Sequence, residues 1–256
     1  MASTYLQITN ELLREINEVA LTSANFTDAR GIQQHVKDCI NRAYLDIVNE
    51  EAQWPFLNSD LSGSTIPLYG NSSVETVAGQ RFYILKDGST GVHTDFGYVD
   101  WDNFYITTDG VAGETAPYMG RNLKFITIEE WKDFQRVREN LDAADTQNYG
   151  EPRYVIRSPD NRKFGLSPIP DKAYKVWFYA FEQPTQLSAY SDEIAFQDMY
   201  KPVLLARARY YLHQFKEELQ AASFADQEYR RGLKMMKHNL MGPTPSYMKD
   251  DRMRVV

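Results

Sequence analysis

A single cysteine, Cys39, is present in 256 residues, which excludes an internal disulfide and a thiolate zinc cluster and fits a reducing compartment. Histidine is almost as scarce, and His35, His93, His213 and His238 stand apart without metal-ligand spacing. His213 and Glu217, four apart on an expected helix, lack a third ligand and read better as a surface pair. No phosphate loop, dinucleotide fingerprint or nucleophile elbow occurs; Gly88-Ser89-Thr90-Gly91 is too short and sits in a turn. No apolar run approaches the 18 or so residues of a membrane span, and the charged start leaves no room for a signal peptide. Without a secretory signal, Asn25-Phe26-Thr27 and Asn71-Ser72-Ser73 carry no meaning as glycosylation sites. A soluble protein made in a cytoplasm is expected. Basic residues are also in deficit: Lys+Arg 28 against Asp+Glu 35 gives a net charge of −7, which disfavours a wrapped contact with duplex nucleic acid.

Aromatic residues, by contrast, are abundant. Tyr 17 exceeds Phe 13 and Trp 4, and tyrosine, apolar in body and polar at its tip, suits either subunit contacts or a tyrosine-rich β core. Hydrophobic residues at 43% and charged residues at 25% are ordinary globular usage, so the chain folds.

Apolar periodicity divides the chain. Leu6, Leu12, Leu13, Ile16, Val19 and Ala20 predict a first helix over 5–21. Ile32, Val36, Cys39, Ile40, Ala43, Tyr44, Ile47 and Val48 predict a second, capped by Thr27 or Asp28 and stopped at Trp54-Pro55-Phe56. Cys39 lies on this stripe and reads as a small core hydrophobe. Residues 58–190 are punctuated by Gly and Pro and predict strands at 65–69, 81–85, 96–101, 104–108, 123–126, 153–158, 163–167 and 174–181. Turn chemistry stands at 86–89 and 158–161, and the capping box Thr127-Ile128-Glu129-Glu130 predicts one helix over about 127–141. Helix returns from Asp198 to Leu240, with Pro202 in its first turn and a break near 219–223. Val203, Leu204, Ala206, Ala208, Tyr211, Leu212 and Phe215 form its first apolar surface, and Phe224, Tyr229, Leu233 and Met236 a sparser stripe.

The expected fold is α+β: a bundle of N- and C-terminal helices, 1–57 and 191–240, with a β-rich region inserted at 58–190 and a flexible tail at 241–256. Glu50/Glu51, Asp100/Asp102 and Glu129/Glu130 are the adjacent carboxylates that could serve hydrolysis if two met across a cleft, and otherwise form solvated faces. Arg207, Arg209, Lys216, Arg230, Arg231, Lys234 and Lys237 are interleaved with Glu217, Glu218, Asp226 and Glu228. They read as an ion-paired helix surface, with a phosphate-contacting stripe as the alternative.

Gln53-Trp54-Pro55-Phe56, the tyrosine-rich insertion, Gly165-Leu166-Ser167-Pro168-Ile169-Pro170 leading into Tyr174-Lys175-Val176-Trp177-Phe178-Tyr179, and Asp192–Tyr200 with Pro202 and Leu204–Phe215 together resemble the head-to-tail adaptors of tailed bacteriophages. The resemblance is particularly to the tail tubular protein A type of short-tailed phages and covers roughly residues 5–240. The resemblance implies a non-enzymatic virion protein of the neck, without cofactor or membrane contact. It implies a homo-oligomeric ring, usually of twelve copies, between the portal protein and the tail nozzle protein, through whose lumen genome DNA passes without sequence-specific binding. An acidic balance suits such a conduit, because it repels phosphate. The C-terminal ends of similar adaptors extend towards the portal, which makes Tyr247, Met248, Arg252, Met253, Arg254, Val255 and Val256 the expected docking residues. A virion-associated peptidoglycan hydrolase and a glycan-binding tail module are the alternative functions.

Overall fold

The computed structural model describes residues 3–58, 70–85, 96–108, 120–135, 149–159, 162–183 and 185–241. It divides into two compact units: residues 1–56 with 184–256, and residues 57–183.

The first unit is helical. Helix α1 spans Tyr5–Glu15 and opens on a capping box, in which Thr4 Oγ1 accepts from Gln7 N–H at 3.4 Å and Gln7 Oε1 accepts from Thr4 N–H at 3.0 Å. Tyr5, Ile8, Leu12 and Leu13 face inward. The expected extension to residue 21 does not occur. Asn17 adopts a left-handed φ of 59° and Glu18 N–H turns back to Leu13 O, a conformation Asn tolerates and one that ends a helix. Val19 is consequently 75% exposed rather than part of the core stripe.

Helix α2 spans Ile32–Asn49 and buries Val36, Cys39, Ile40, Ala43, Tyr44, Ile47 and Val48. Its start is later than the residue types of Thr27 and Asp28 suggest. Gly31, at φ 58°, precedes the helix without any side-chain cap, because a left-handed residue there turns the incoming chain. That incoming loop is tied down from within: Lys37, itself buried, donates from Nζ to Phe26 O at 2.8 Å and lies 4.3 Å from the Phe26 ring centroid. Trp54 is fully buried and donates from Nε1 to Ile47 O, satisfying a carbonyl in the last turn of α2.

Helix α4 spans Lys201–Phe215, with Pro202 in the first turn where its missing N–H costs nothing. Helix α5 spans Leu219–Met241. The break between them falls at 216–218, ahead of the expected position, and Glu217 takes a left-handed φ of 60° there. Two residues expected in the core are outside it: Phe215 is 59% and Phe224 72% exposed. The buried stripe of α5 is Ala222, Ala225, Tyr229, Leu233 and Met236, and Phe224 lies out of phase with it. Helix α4 packs against α2, α5 and α1. It packs close to α5 at Gly232, where a Cβ would stand 2.8 Å from Val203 Cγ2.

The second unit is built on one seven-stranded sheet. Its strands are β1 (Ser72–Glu75), β2 (Phe82–Ile84), β3 (Phe96–Thr107), β4 (Arg121–Ile126), β5 (Tyr154–Arg157), β6 (Lys163–Ser167) and β7 (Lys175–Glu182), in the order β1-β7-β3-β4-β5-β6-β2. All neighbours are antiparallel except β4 and β5, and α3 (Ile128–Glu130, continuing as a wider turn over Trp131–Gln135) lies on that crossover. Thr127 caps it as expected, with Thr127 Oγ1 and Glu130 exchanging bonds with each other's backbone N–H. The expected continuation to Leu141 lies outside the described residues, as do the strand at 65–69 and the turn at 86–89.

The two edge strands, β1 and β2, are joined by the short link 76–81, so the sheet curls towards a barrel. The Tyr83 hydroxyl clasps that link, accepting from Val77 N–H at 3.1 Å and donating to Gln80 O at 2.7 Å. Two strands expected at 96–101 and 104–108 are one strand with a register shift between Asp100 and Tyr105. Asp100 accommodates it by accepting from Asp102 N–H and Asn103 Nδ2. The interior is aromatic: Phe104 stacks on Phe178 at 5.2 Å and on Trp101 at 5.3 Å, amid Val99, Ile106, Leu123, Val155, Phe164, Leu166 and Val176.

Candidate functional site

The residues expected to dock on a portal, Tyr247, Met248, Arg252, Met253, Arg254, Val255 and Val256, lie outside the described residues. What the helical unit does assemble is a charged and aromatic cluster centred on Arg207. Its position on α4 follows from the helix's apolar belt, which turns one polar position towards both α2 and α5.

Arg207 Nε donates to Asp46 Oδ2 of α2 at 2.7 Å, Nη1 to Asp226 Oδ1 of α5 at 3.3 Å, and Nη2 to the Tyr211 hydroxyl at 3.0 Å. That hydroxyl in turn donates to Asp46. The guanidinium lies 4.9 Å from the Tyr210 and Tyr211 ring centroids and 4.8 Å from that of Tyr229. Burial works against the arginine's charge, but the hydrogen bond and charge of Asp46 outweigh it and hold the pKa above its ordinary value. Burial pushes the Tyr229 phenol up to about 12. Asp46, Asn49, Glu50, Arg207, Asp226 and Tyr229 line an open groove of about 480 Å³. Arg207 and Arg230 both have carboxylate partners there, so the cluster fastens three helices.

Several of the remaining expected candidates are similarly engaged, whereas Arg231 and Lys234 have no ion pair among the described residues. Arg209 binds both Glu15 oxygens (2.7 and 2.5 Å) and reaches Glu228 at 3.5 Å, and Arg230 pairs with Asp226. Lys237 bonds Glu50 at 2.9 Å and Glu51 at 2.7 Å. Asp100 and Asp102 belong to the shift in β3, and Glu130 to the α3 cap. His213 pairs with Glu218 at 2.6 Å and not with Glu217, because the helix ends before that residue. Cys39 is buried, and burial pushes its thiol up to about 11. Among the described residues, no group of three or more His, Cys, Asp or Glu could hold a metal ion, and no helix is long and apolar enough to cross a membrane.

The surface also carries apolar side chains that composition alone does not locate. In the helical unit these include Phe224, Met235 (59% exposed), Met199 (63%) and Tyr190 (46%), besides Val19, Phe215, Leu219 and Met241; in the sheet unit, Val77, Phe82 and Ile84 lie on or beside the β2 edge. Asp46 as an ion-pair partner was not legible in the sequence, since nothing in residues 32–49 names the helix that will face it. The exposure of Phe224 was legible, through its phase against Ala225, Tyr229, Leu233 and Met236.

No curated protein matches the chain. A family model described as SU10 adaptor protein matches residues 3–253, nearly its whole length. The helical and sheet units thus both fall within one match, and the chain belongs to the SU10 adaptor protein family, a family of phage head-to-tail adaptors.

Proposed function

We propose that this protein is a structural component of the phage neck, assembling into a closed ring of about twelve copies between the portal and the tail nozzle and surrounding the channel through which DNA leaves the head. The family match across residues 3–253 carries this reading. Kinship with the tail tubular protein A of short-tailed phages is the finer form of the same assignment. The N- and C-terminal helices act as a bundle, and the Arg207, Arg209 and Lys237 ion pairs keep its members in fixed register as load passes through them. A net charge of −7 supports a channel lining that repels phosphate and lets DNA slide.

The segment after Met241 is the portal-docking element in this reading. Tyr247, Met248, Met253, Val255 and Val256 supply apolar anchors, and Arg252 and Arg254 supply charge-assisted bonds to carboxylates. Many weak contacts acting together then attach the ring. Electron microscopy of the purified protein, alone and mixed with the portal of the same phage, tests the assignment. A closed ring seated on the portal is expected; absence of any ring across a range of salt concentrations overturns it. Deleting residues 243–256 should leave the ring-forming units folded and abolish portal attachment.

A further inference from the structure

Helix α5 shows two faces. Ala222, Ala225, Tyr229, Leu233 and Met236 face the unit's interior, whereas Phe224, Arg231 and Met235 recur at helical spacing on the outward side. Phe224 and Met235 are 72% and 59% exposed, an apolar stripe without cover. Arg231 and Lys234 beside them are exposed and have no ion pair among the described residues, in contrast to Arg207, Arg209, Arg230 and Lys237.

A surface of opposite sign lies elsewhere on the same unit, around the start of α1. Residues 3–6 run alongside residues 190–194: Leu6 N–H donates to Tyr190 O, Tyr5 N–H to Asp192 O and Ile194 N–H to Ser3 O. Asp198 accepts from Ser3 N–H at 2.7 Å, which brings it to the same place. The exposed groups there are Tyr190, Glu193, Asp198 and Met199, and Glu193 has no ion pair among the described residues. Backbone and side-chain donors hold Asp192 and Asp198 below the usual carboxylate range, so both are charged at neutral pH. Along α4, Lys201 reaches Glu11 of α1, Val203 meets Gly232 of α5, and Arg209 touches both Glu15 of α1 and Glu228 of α5.

The geometry points to a head-to-tail contact between copies of this chain, in which the Phe224–Arg231–Met235 stripe of one copy covers the Tyr190–Glu193–Met199 surface of the next. Each surface joins exposed apolar side chains to uncompensated charge, of opposite sign in the two cases. A contact between two different surfaces is heterologous, the kind that closes a ring. The inference rests on the ring reading above and names its interface.

Two full-length variants test it, one carrying Phe224→Asp and Met235→Glu, the other Glu193→Lys and Met199→Lys. All four positions are exposed, and circular dichroism melts should match the unaltered chain. Under conditions in which the unaltered protein assembles, each variant alone should sediment as a monomer. Their equimolar mixture should form a heterodimer and stop, because one intact contact remains per pair. Arg231→Glu alone, which changes charge and little volume, should raise the concentration needed for assembly at least tenfold. Rings formed by either double variant, or a mixture in which the two do not pair, would overturn the interface while leaving the ring reading in place. If the unaltered protein forms no ring even on the portal, the ring reading fails and this contact with it.

Discussion

Arg207 of α4 donates to Asp46 of α2 at 2.7 Å across 161 positions of sequence, so one hydrogen bond joins the N-terminal and C-terminal stretches of the chain. Both side chains are partly shielded, at 20% and 31% exposure. Removing Arg207 leaves Asp46 without its ion-pair partner, while Asp226 keeps Arg230, and it takes the guanidinium away from the Tyr211 and Tyr229 rings. Arg207→Ala is therefore expected to cost about 2 to 3 kcal/mol, the scale of charge-assisted hydrogen bonds left unmade. Arg207→Lys should recover only part of this, because one ammonium does not reach two carboxylates and a phenol in a planar fork. Chemical denaturation of the three proteins measures both.

Cys39 sits at 4% exposure on the buried stripe of α2, and its thiol is pushed up to about 11 by burial first and by the charge of Asp38 second. At pH 8 the thiolate fraction is then roughly two orders of magnitude below that of an ordinary cysteine. Ellman's reagent should label the folded protein at least a hundredfold more slowly than the urea-unfolded chain. Labelling at equal rates would mean that this face of α2 is open to solvent. The same face supplies the core test: Ile40→Ala and Leu204→Ala, both at fully buried positions, should each cost about 2 to 5 kcal/mol.

The stripe from Val36 to Val48 was legible because one face of α2 is buried without interruption and the residues repeat at helical spacing. Helix ends were less so. Asn17, Gly31 and Glu217 set them through left-handed backbone, a property Asn and Gly tolerate but do not announce, and that no rule assigns to Glu. Strand β1, Ser72–Glu75, is illegible in the sequence because Val74 is its one strongly strand-favouring residue; Asn71 places it, its side chain bonding both Ala180 N–H and Ala180 O of β7. Basic and acidic residues in 207–237 signalled ion pairing, yet their partners Glu15, Asp46, Glu50 and Glu51 come from the other end of the chain. Such long-range pairing is a product of packing, which local pattern does not encode.

Two glycines separate backbone from side-chain crowding. A Cβ at Gly70 would stand 2.5 Å from the carbonyl oxygen of Phe178 and 2.7 Å from its nitrogen, both fixed in the ladder of β7. At Gly232 the obstruction is Val203 Cγ2, a methyl group that a rotation moves, and alanine there gains helix propensity of roughly 1 kcal/mol. Gly70→Ala is expected to destabilise by about 2 to 3 kcal/mol, and Gly232→Ala by less than about 1 kcal/mol. Thermal or urea unfolding gives the order, and a larger loss at Gly232 would show that α4 and α5 are locked together more rigidly than the edge of the sheet.

Acid should loosen the acidic surface at the start of α1 before it dissolves the core. Asp192 accepts from Ser188 N–H at 2.6 Å, from Ala189 N–H at 2.7 Å and from the Ser188 hydroxyl at 3.2 Å, and these bonds hold its pKa below the usual carboxylate range. Asp198 is lowered as well, chiefly by hydrogen bonding from Ser3. A carboxylate with a folded pKa below its unfolded value adds stability that is complete above the unfolded value of about 4 and disappears as pH falls through the folded one. Stability should therefore be insensitive to these groups from pH 7 to about pH 5 and decline below about 4. Asp192→Asn, whose amide oxygen keeps an acceptor without a titrating proton, should lower stability near neutrality and flatten the decline below pH 4. Urea midpoints collected from pH 2.5 to 7 for the two proteins provide the comparison. Parallel curves would exclude Asp192 as a source of the acid response.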